Sequence, residues 1–491
     1  MALMSIKNKI FNSSFARKLL FGTFWMTFGT LMSRGLLALA SIVLARILTL
    51  KEYGEFGMVK STIDNFLIFA SMGIGLTTTK YMSELKDVDK DKASSMLGAS
   101  LSLVTILGVS VALLVCLFSN NIAIVFLNNQ ELAIPLSIGG LTLIFIAING
   151  TQMGALLGFQ AFQKNSLSNI LQGVFLFIGL IVGGYLFGVE GALLGNLIAI
   201  FFVSIVLQIL LKKESKKFNI QINLNDWKTN IKTIYKFAIP ASLSTIVVAP
   251  TIWILNTILV NQKDGYSELG LYSAVIIFST AIQMFNGAIS NVLLPIFLSK
   301  SEEKSPKKEF FNYFGSWIIS IIIALPLIVF PELVSLVLGS KYETDKIVPI
   351  LGMSIVATLI ITNRAGVSRD LIIKNKMWLS VFSMGQWAIT NLLIFYFLKE
   401  YGALGFAFSY MASYLMNYLI FLPYFIHQKI SPSIIFYNKW NFILWALILI
   451  LVGCNVFMYN QLIIRVIVTI ITVGFIIVSI SKLYKQCLKK L

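Results

Sequence analysis

Three cations stand inside stretches that are otherwise apolar: Arg34, Lys60 and Arg364. At helical rise Arg34 lies roughly 18 Å or more from the flanking cations Lys18 and Arg46. A side chain that deep in a bilayer-crossing helix cannot reach the interface, so it has to face protein or water. Lys60 and Asp64 are four residues apart and share one helix face, where they either pair with each other or meet Arg34. Cations held in a wet interior would attract phosphate oxygens, whereas the same residues in a dry interior form a structural ion-pair network. Asn149, Gln152 and Asn286 also interrupt apolar runs, as do Gln386, Asn391 and Asn417. Such amides either contact a hydroxyl-rich ligand or bond between helices.

The residues of covalent chemistry are sparse. His427, the single histidine, falls at the end of an apolar run and reads as an end cap, not a proton shuttle. Cys116, Cys454 and Cys487 have no CxxC spacing, and no GxxxxGK[ST] phosphate loop occurs. No catalytic residue, metal site or cofactor is expected.

The elements that position these groups follow from composition. Hydrophobic residues make up 57% of 491 and charged residues 12%, about half the charge of a soluble domain. The apolar residues come in runs of about 20, the length that crosses roughly 30 Å of hydrocarbon. The fold class expected is an all-α polytopic membrane protein with about fourteen transmembrane helices: 19–45, 56–79, 94–118, 132–157, 166–188, 190–211, 234–260, 268–298, 312–338, 347–372, 377–398, 402–426, 440–460 and 462–482. The net charge of +18 is not a nucleic-acid signal, because the basic residues alternate between loops. Of the 39, 29 lie at the termini or in even-numbered loops and seven on the other side, which puts both termini in the cytoplasm.

The polar stretch 212–233, with Trp227, is a cytoplasmic linker that can lie on the membrane surface. Six runs precede it. Two echoes suggest an internal repeat: Glu52-Tyr53-Gly54 with Glu268-Leu269-Gly270, offset by 216, and Gly191-Ala192-Leu193 with Gly402-Ala403-Leu404, offset by 211. The division expected is two pseudo-symmetric six-helix lobes, 1–211 and 234–427, joined by 212–233, plus an additional helix pair in 428–491.

The segment Ala45-Arg46-Ile47-Leu48-Thr49-Leu50-Lys51-Glu52-Tyr53-Gly54-Glu55-Phe56-Gly57 is similar to the "AR-L-(x)-EYG-Y-G" segment after the first span of the polysaccharide flippases of the multidrug/oligosaccharidyl-lipid/polysaccharide exporter superfamily. Ala238-Ile239-Pro240, Leu269-Gly270-Leu271-Tyr272-Ser273-Ala274 and Leu294-Pro295 add to the resemblance, which is greatest to the O-antigen and capsule repeat-unit flippases of Wzx type. It implies alternating access in a bacterial plasma membrane and an undecaprenyl-diphosphate-linked oligosaccharide substrate. Membrane lipids and the polysaccharide polymerase machinery are the partners it implies. Arg34, Lys60, Asp64, Arg364, Asn149, Gln152 and Asn286 are the substrate-binding candidates, since a dianionic, hydroxylated headgroup needs cations and hydrogen-bonding groups to cross hydrocarbon.

Two rival transporters belong to the same superfamily. A drug/cation antiporter places acids in its first or seventh helix, and 19–45 and 234–260 contain none. A lipid II flippase differs only in specificity. The rival of another class, a membrane polymerase or transferase, needs His, Asp or Glu on sizeable external loops, which here are short and free of histidine.

Overall fold

The structure, a computed structural model, describes residues 14–222, 227–298, 306–374, 376–433 and 437–490. Among these, every regular element is helical. The longer helices are α1 Ser14–Ile47, α2 Leu50–Ser71, α3 Ile74–Leu85, α4 Lys90–Asn121, α5 Ala133–Gly158, α6 Phe162–Lys217, α7 Trp227–Val260, α8 Gly265–Leu298, α9 Ser316–Val329, α10 Glu332–Leu338, α11 Thr344–Asn363, α12 Ala365–Ile373, α13 Met377–Leu398, α14 Gly402–His427, α15 Lys439–Phe457 and α16 Leu462–Lys490. Ten stretches of the described residues are long and apolar enough to cross a membrane. Large apolar side chains stay exposed along them, as in Ile463, Ile467, Ile470 and Phe475 of α16. Such a surface suits hydrocarbon and not water. Of the expected linker 212–233, residues 223–226 lie outside the described residues; α6 runs as far as Lys217, and helix resumes at Trp227.

Packing divides the chain into two compact units, Met1–Leu48 with Met58–Ala249, and Thr49–Gly57 with Pro250–Leu491.

In the first unit α6 spans 56 residues, about 84 Å if straight, far more than a bilayer needs. It is not straight. Phe187 and Gly188 leave helical geometry, Gly188 with φ 57° and ψ −134°, a conformation open essentially to glycine alone. The chain folds back into an antiparallel hairpin in which Gly179 meets Gly195 and Gly183 meets Gly191, so closely that a Cβ at any of the four would overlap the opposite carbonyl. α1 lies parallel to the first limb, Gly29 against Ser166 and Gly173 against Ser33, while α5 packs on the second limb through Phe145 and Phe201.

The expected second span, 56–79, is not one helix. Met72 (φ 41°) and Gly73 (φ 70°) break it into α2 and α3, and α3 then packs on α5 with Gly75 facing Gly150 and Gly154. The break shifts the helix axis so that backbone meets backbone, and Thr79 Oγ1 donates to the Gly154 carbonyl at 2.9 Å.

In the second unit α13 and α14 form another hairpin, turned by Gly402 with φ 56° and ψ −133°. Its turn matches that at Gly188 at an offset of 214, not the 211 read from Gly191-Ala192-Leu193. In that register Gly405, which abuts the Leu398 carbonyl, takes the part of Gly191. The other echo meets itself. A Cβ at Gly54 would overlap the Tyr266 carbonyl and one at Gly270 would overlap that of Leu50, so two small residues let the start of α2 lie against the start of α8. Thr49 and Glu52 cap α2 reciprocally, Thr49 N donating to Glu52 Oε2 at 2.8 Å and Glu52 N to Thr49 Oγ1 at 3.2 Å. Glu268 caps α14, its Oε2 accepting from Ala403 N at 2.8 Å, where a carboxylate also complements the helix dipole. α15 and α16 join this unit through Trp317–Trp445 stacking, ring centroids 5.1 Å apart, and Arg465 Nη1 donating to Glu332 Oε1 at 2.6 Å.

Candidate functional site

Arg34 is exposed on α1. At about 100° per residue it shares a polar stripe with Thr27, Thr30 and Ser41, well apart from the exposed apolar stripe of Phe24, Phe28, Met32 and Leu39. Among the described residues no carboxylate pairs with it. Asp64 is paired instead with Lys60, Nζ to Oδ2 at 2.8 Å, with each side chain about half exposed. This pair lies on the side of α2 opposite exposed Phe69, so both polar stripes point away from the faces suited to lipid.

Asn149 and Gln152 are buried between helices. Asn149 Nδ2 donates to the Ile200 carbonyl at 3.2 Å, and its Oδ1 accepts from Ser204 Oγ. Gln152 Nε2 donates to Gln208 Oε1 at 2.8 Å, and Gln152 Oε1 has no partner among the described residues. Both amides therefore clamp α5 to the second limb of α6. Lys164, with Lys217, closes on Glu214 at the far end of α6.

The second unit carries Asn286 and Arg364. Asn286 is half-buried on α8 with its Oδ1 unpartnered among the described residues; one turn earlier Gln283 reaches Thr358 of α11. Arg364 sits at the junction of α11 and α12 and is only 7% exposed. Its Nη2 donates to Ser383 Oγ at 3.1 Å and its Nη1 to Asn417 Oδ1. Ser383 Oγ also donates to Asn417 Oδ1 at 3.1 Å, and Asn417 Nδ2 donates to the Ser383 carbonyl at 2.7 Å and to Gln386 Oε1 at 2.6 Å. Tyr418 OH donates to Asn363 Oδ1 at 2.9 Å beside it. No carboxylate among the described residues neutralises this guanidinium. It is a full positive charge held by neutral oxygens, an arrangement suited to receiving an anion.

A second buried cation, Arg369, is tied to Asn312, Nε to Oδ1 at 2.7 Å. Its neighbour Asp370 accepts from Tyr313 OH at 2.7 Å and Ser431 Oγ at 2.9 Å, so this end of the unit is closed on itself. Among the described residues no three His, Cys, Asp or Glu side chains cluster as a metal site would require.

The ring around Arg364 extends beyond the residues singled out from sequence. Tyr414 stands beside it on α14 with Tyr410 one turn earlier, and with Asn417 and Tyr418 they fall at i, i+4, i+7 and i+8. That helical stripe is visible in the sequence, but tyrosines in apolar helices draw no notice beside charged residues.

A family model described as polysaccharide biosynthesis protein matches residues 19–300, more than half of the chain. The chain belongs to the polysaccharide biosynthesis protein family. Solved structures of similar fold include two membrane transporters. A multidrug resistance MATE family transporter of the MOP superfamily, in an inward-facing conformation, aligns with a TM-score of 0.66 over 82% of this chain and 96% of its own, at 16% identity. A MOP superfamily transporter from Pyrococcus furiosus aligns with a TM-score of 0.60 over 84% and 95%, at 17% identity. At those identities the likeness shows a common fold. No protein of curated function matches the chain by sequence. With its ten long apolar helical stretches, this family member is thus a multi-pass membrane protein that shares the fold of those structures.

Proposed function

We propose that this protein is a flippase that moves undecaprenyl-diphosphate-linked oligosaccharide repeat units, of O-antigen or capsule type, across the bacterial plasma membrane by alternating access. The observation that carries the reading is Arg364, a buried guanidinium whose hydrogen-bond partners are all neutral. Arg465 of the same unit is by contrast matched by a carboxylate, Glu332. Arg364, held by Asn417 and Ser383, keeps its charge available to a diphosphate. Within the first unit Arg34 on its polar stripe and Lys60 supply further cations, and Asp64 tunes Lys60; within the second, Asn286 carries a buried carbonyl oxygen with no partner among the described residues. Asn149 and Gln152 have an indirect part, holding α5 against the second limb of α6.

The fourteen-span arrangement belongs to the same proposal. The ten apolar stretches include two hairpins that each cross twice, giving twelve; α2 and α7 complete fourteen. The spans divide into two six-helix lobes, 1–211 and 234–427, and the pair α15–α16. The alternation of basic loops puts both termini in the cytoplasm. Such a protein moves its substrate and makes no covalent change in it.

Deletion of the gene is expected to abolish surface polysaccharide while lipid-linked repeat units accumulate on the cytoplasmic leaflet. Absence of lipid-linked repeat units in the deletion strain would instead favour an enzyme of their synthesis.

A further inference from the structure

Beside Arg364 the second unit carries a group of aromatic side chains that the phosphate site does not use. On α14, Tyr410, Tyr414 and Asn417 fall within roughly 60° of one another around the helix axis, and the exposed apolar stripe of Leu404, Phe408, Leu415 and Leu419 occupies the other side. Tyr410 and Tyr414 therefore point into the unit together with the fully buried Asn417. Both nevertheless keep part of their surface accessible, on the side of α14 away from the exposed apolar stripe.

Their geometry is fixed from behind. Trp387 of α13, fully buried, packs edge-on to Tyr410 with ring centroids 6.0 Å apart and tilted to Tyr414 at 5.2 Å. The two tyrosine rings are 5.0 Å apart at 67°. Tyr272 of α8 closes the group against Phe406 at 4.4 Å. Next to the rings stands Gln386, partly accessible, whose Nε2 donates to Thr390 and keeps a second N–H for a hydroxyl; Asn417 behind it is fully engaged with Arg364, Ser383 and Gln386.

Along α14 the Tyr414 and Tyr410 positions are about 4.5 Å and about 10.5 Å from that of Asn417, which holds Arg364. A pyranose presents a face of C–H groups that packs on an aromatic ring and a rim of hydroxyls that bonds amides, so its needs are met by this arrangement and not by a bare phosphate or a hydrocarbon tail. We infer that Tyr410 and Tyr414 form a sugar-stacking shelf that receives the pyranose nearest the diphosphate while Arg364 holds the phosphates. The shelf rests on the flippase reading above and assigns it a recognition element. With α14 starting at the outer side, the glycan lies outward of the phosphates.

The test uses the full-length protein purified in detergent and two probes, undecaprenyl diphosphate and undecaprenyl diphosphate carrying one hexosamine, with binding read by thermophoresis. Wild type is expected to bind the sugar-bearing lipid more tightly. Replacing Tyr410→Leu and Tyr414→Leu together is expected to weaken that lipid about tenfold and to leave the bare one within about twofold. Tyr410→Phe with Tyr414→Phe, which keeps the faces, should retain affinity for the sugar-bearing lipid within about threefold. Arg364→Gln should weaken both lipids. Equal weakening of both lipids by the leucine pair, or no weakening of either, overturns the shelf while leaving the flippase reading intact. Failure of wild type to bind either lipid overturns the lipid-linked reading and the shelf with it.

Discussion

Replacing Arg364→Met separates a ligand-binding arginine from a structural one. The guanidinium makes two charge-assisted hydrogen bonds, to Ser383 and Asn417, each worth about 1.5–3 kcal/mol. Against that loss stands the relief of an ion buried with no carboxylate partner among the described residues, an effective penalty of several kcal/mol. No polar neighbour is orphaned: Asn417 Oδ1 still accepts from Ser383 Oγ at 3.1 Å, and its Nδ2 still donates to the Ser383 carbonyl and Gln386. The two effects nearly cancel, and Arg364→Met is expected to fold within about 2 kcal/mol of wild type, whereas breaking a buried ion pair costs about 3–5 kcal/mol. Membrane abundance and thermal melting in detergent, measured beside surface polysaccharide, should show a normal protein without export. Arg364→Lys keeps the charge but not the fork and should retain part of the activity. Collapse of abundance in Arg364→Met would refute the reasoning, since the arginine would then be holding the fold.

Arg34→Ala should likewise leave abundance unchanged, because Asp64 already has Lys60 at 2.8 Å and an exposed pair of this spacing is worth only about 0.3–0.5 kcal/mol. Export should be lost, and its recovery in Arg34→Ala with Asp64→Ala would retire Arg34 as a ligand. Gly188→Ala and Gly402→Ala should each lower thermal stability by about 1–2 kcal/mol, since both turns need positive φ. Gly385→Ala, where a Cβ meets open space in mid-helix, should be neutral or stabilising. Equal losses at all three glycines would contradict the turn assignment. In a cysteine-free background, cysteines at Asn120 and Asn460 should be labelled from outside the cell and those at Lys217 and Gln428 only after permeabilisation; the reverse pattern would invert the topology.

The helical, membrane-spanning architecture is written in the apolar runs because hydrocarbon leaves no other way to satisfy a long backbone. What periodicity cannot convey is where a run stops being one rod. The break at Met72–Gly73 lies in a stretch as apolar as its neighbours, and it exists because Gly75 has to reach Gly150 and Gly154 of α5, contacts about 75 residues away. The echo at Gly54 and Gly270 picked out two residues that direct contact keeps small. The other echo, Gly191 with Gly402, is three residues off the spacing of the two hairpin turns, because matching letters drew attention from the turn glycines Gly188 and Gly402. For the candidate site, charge in an apolar run identified Arg34, Lys60 and Arg364. It could not tell that Lys60 answers Asp64 while Arg364 has only amides and hydroxyls around it, because that depends on α13 and α14 folding against α11. Asn149 and Gln152 carry the same sequence signal as Asn417, yet they clamp two helices together, so an amide's surroundings separate the two cases where its identity does not.

The central claim is that this chain carries a lipid-linked glycan from one leaflet to the other. The most direct measurement places undecaprenyl-diphosphate-linked oligosaccharide in vesicles with the purified protein and follows the fraction of glycan accessible to a membrane-impermeant glycosidase. With wild type the whole lipid pool is expected to become cleavable over time, while vesicles bearing Arg364→Met stop at the fraction in the outer leaflet. A wild-type trace no faster than that of protein-free vesicles under every imposed ion gradient would contradict the account.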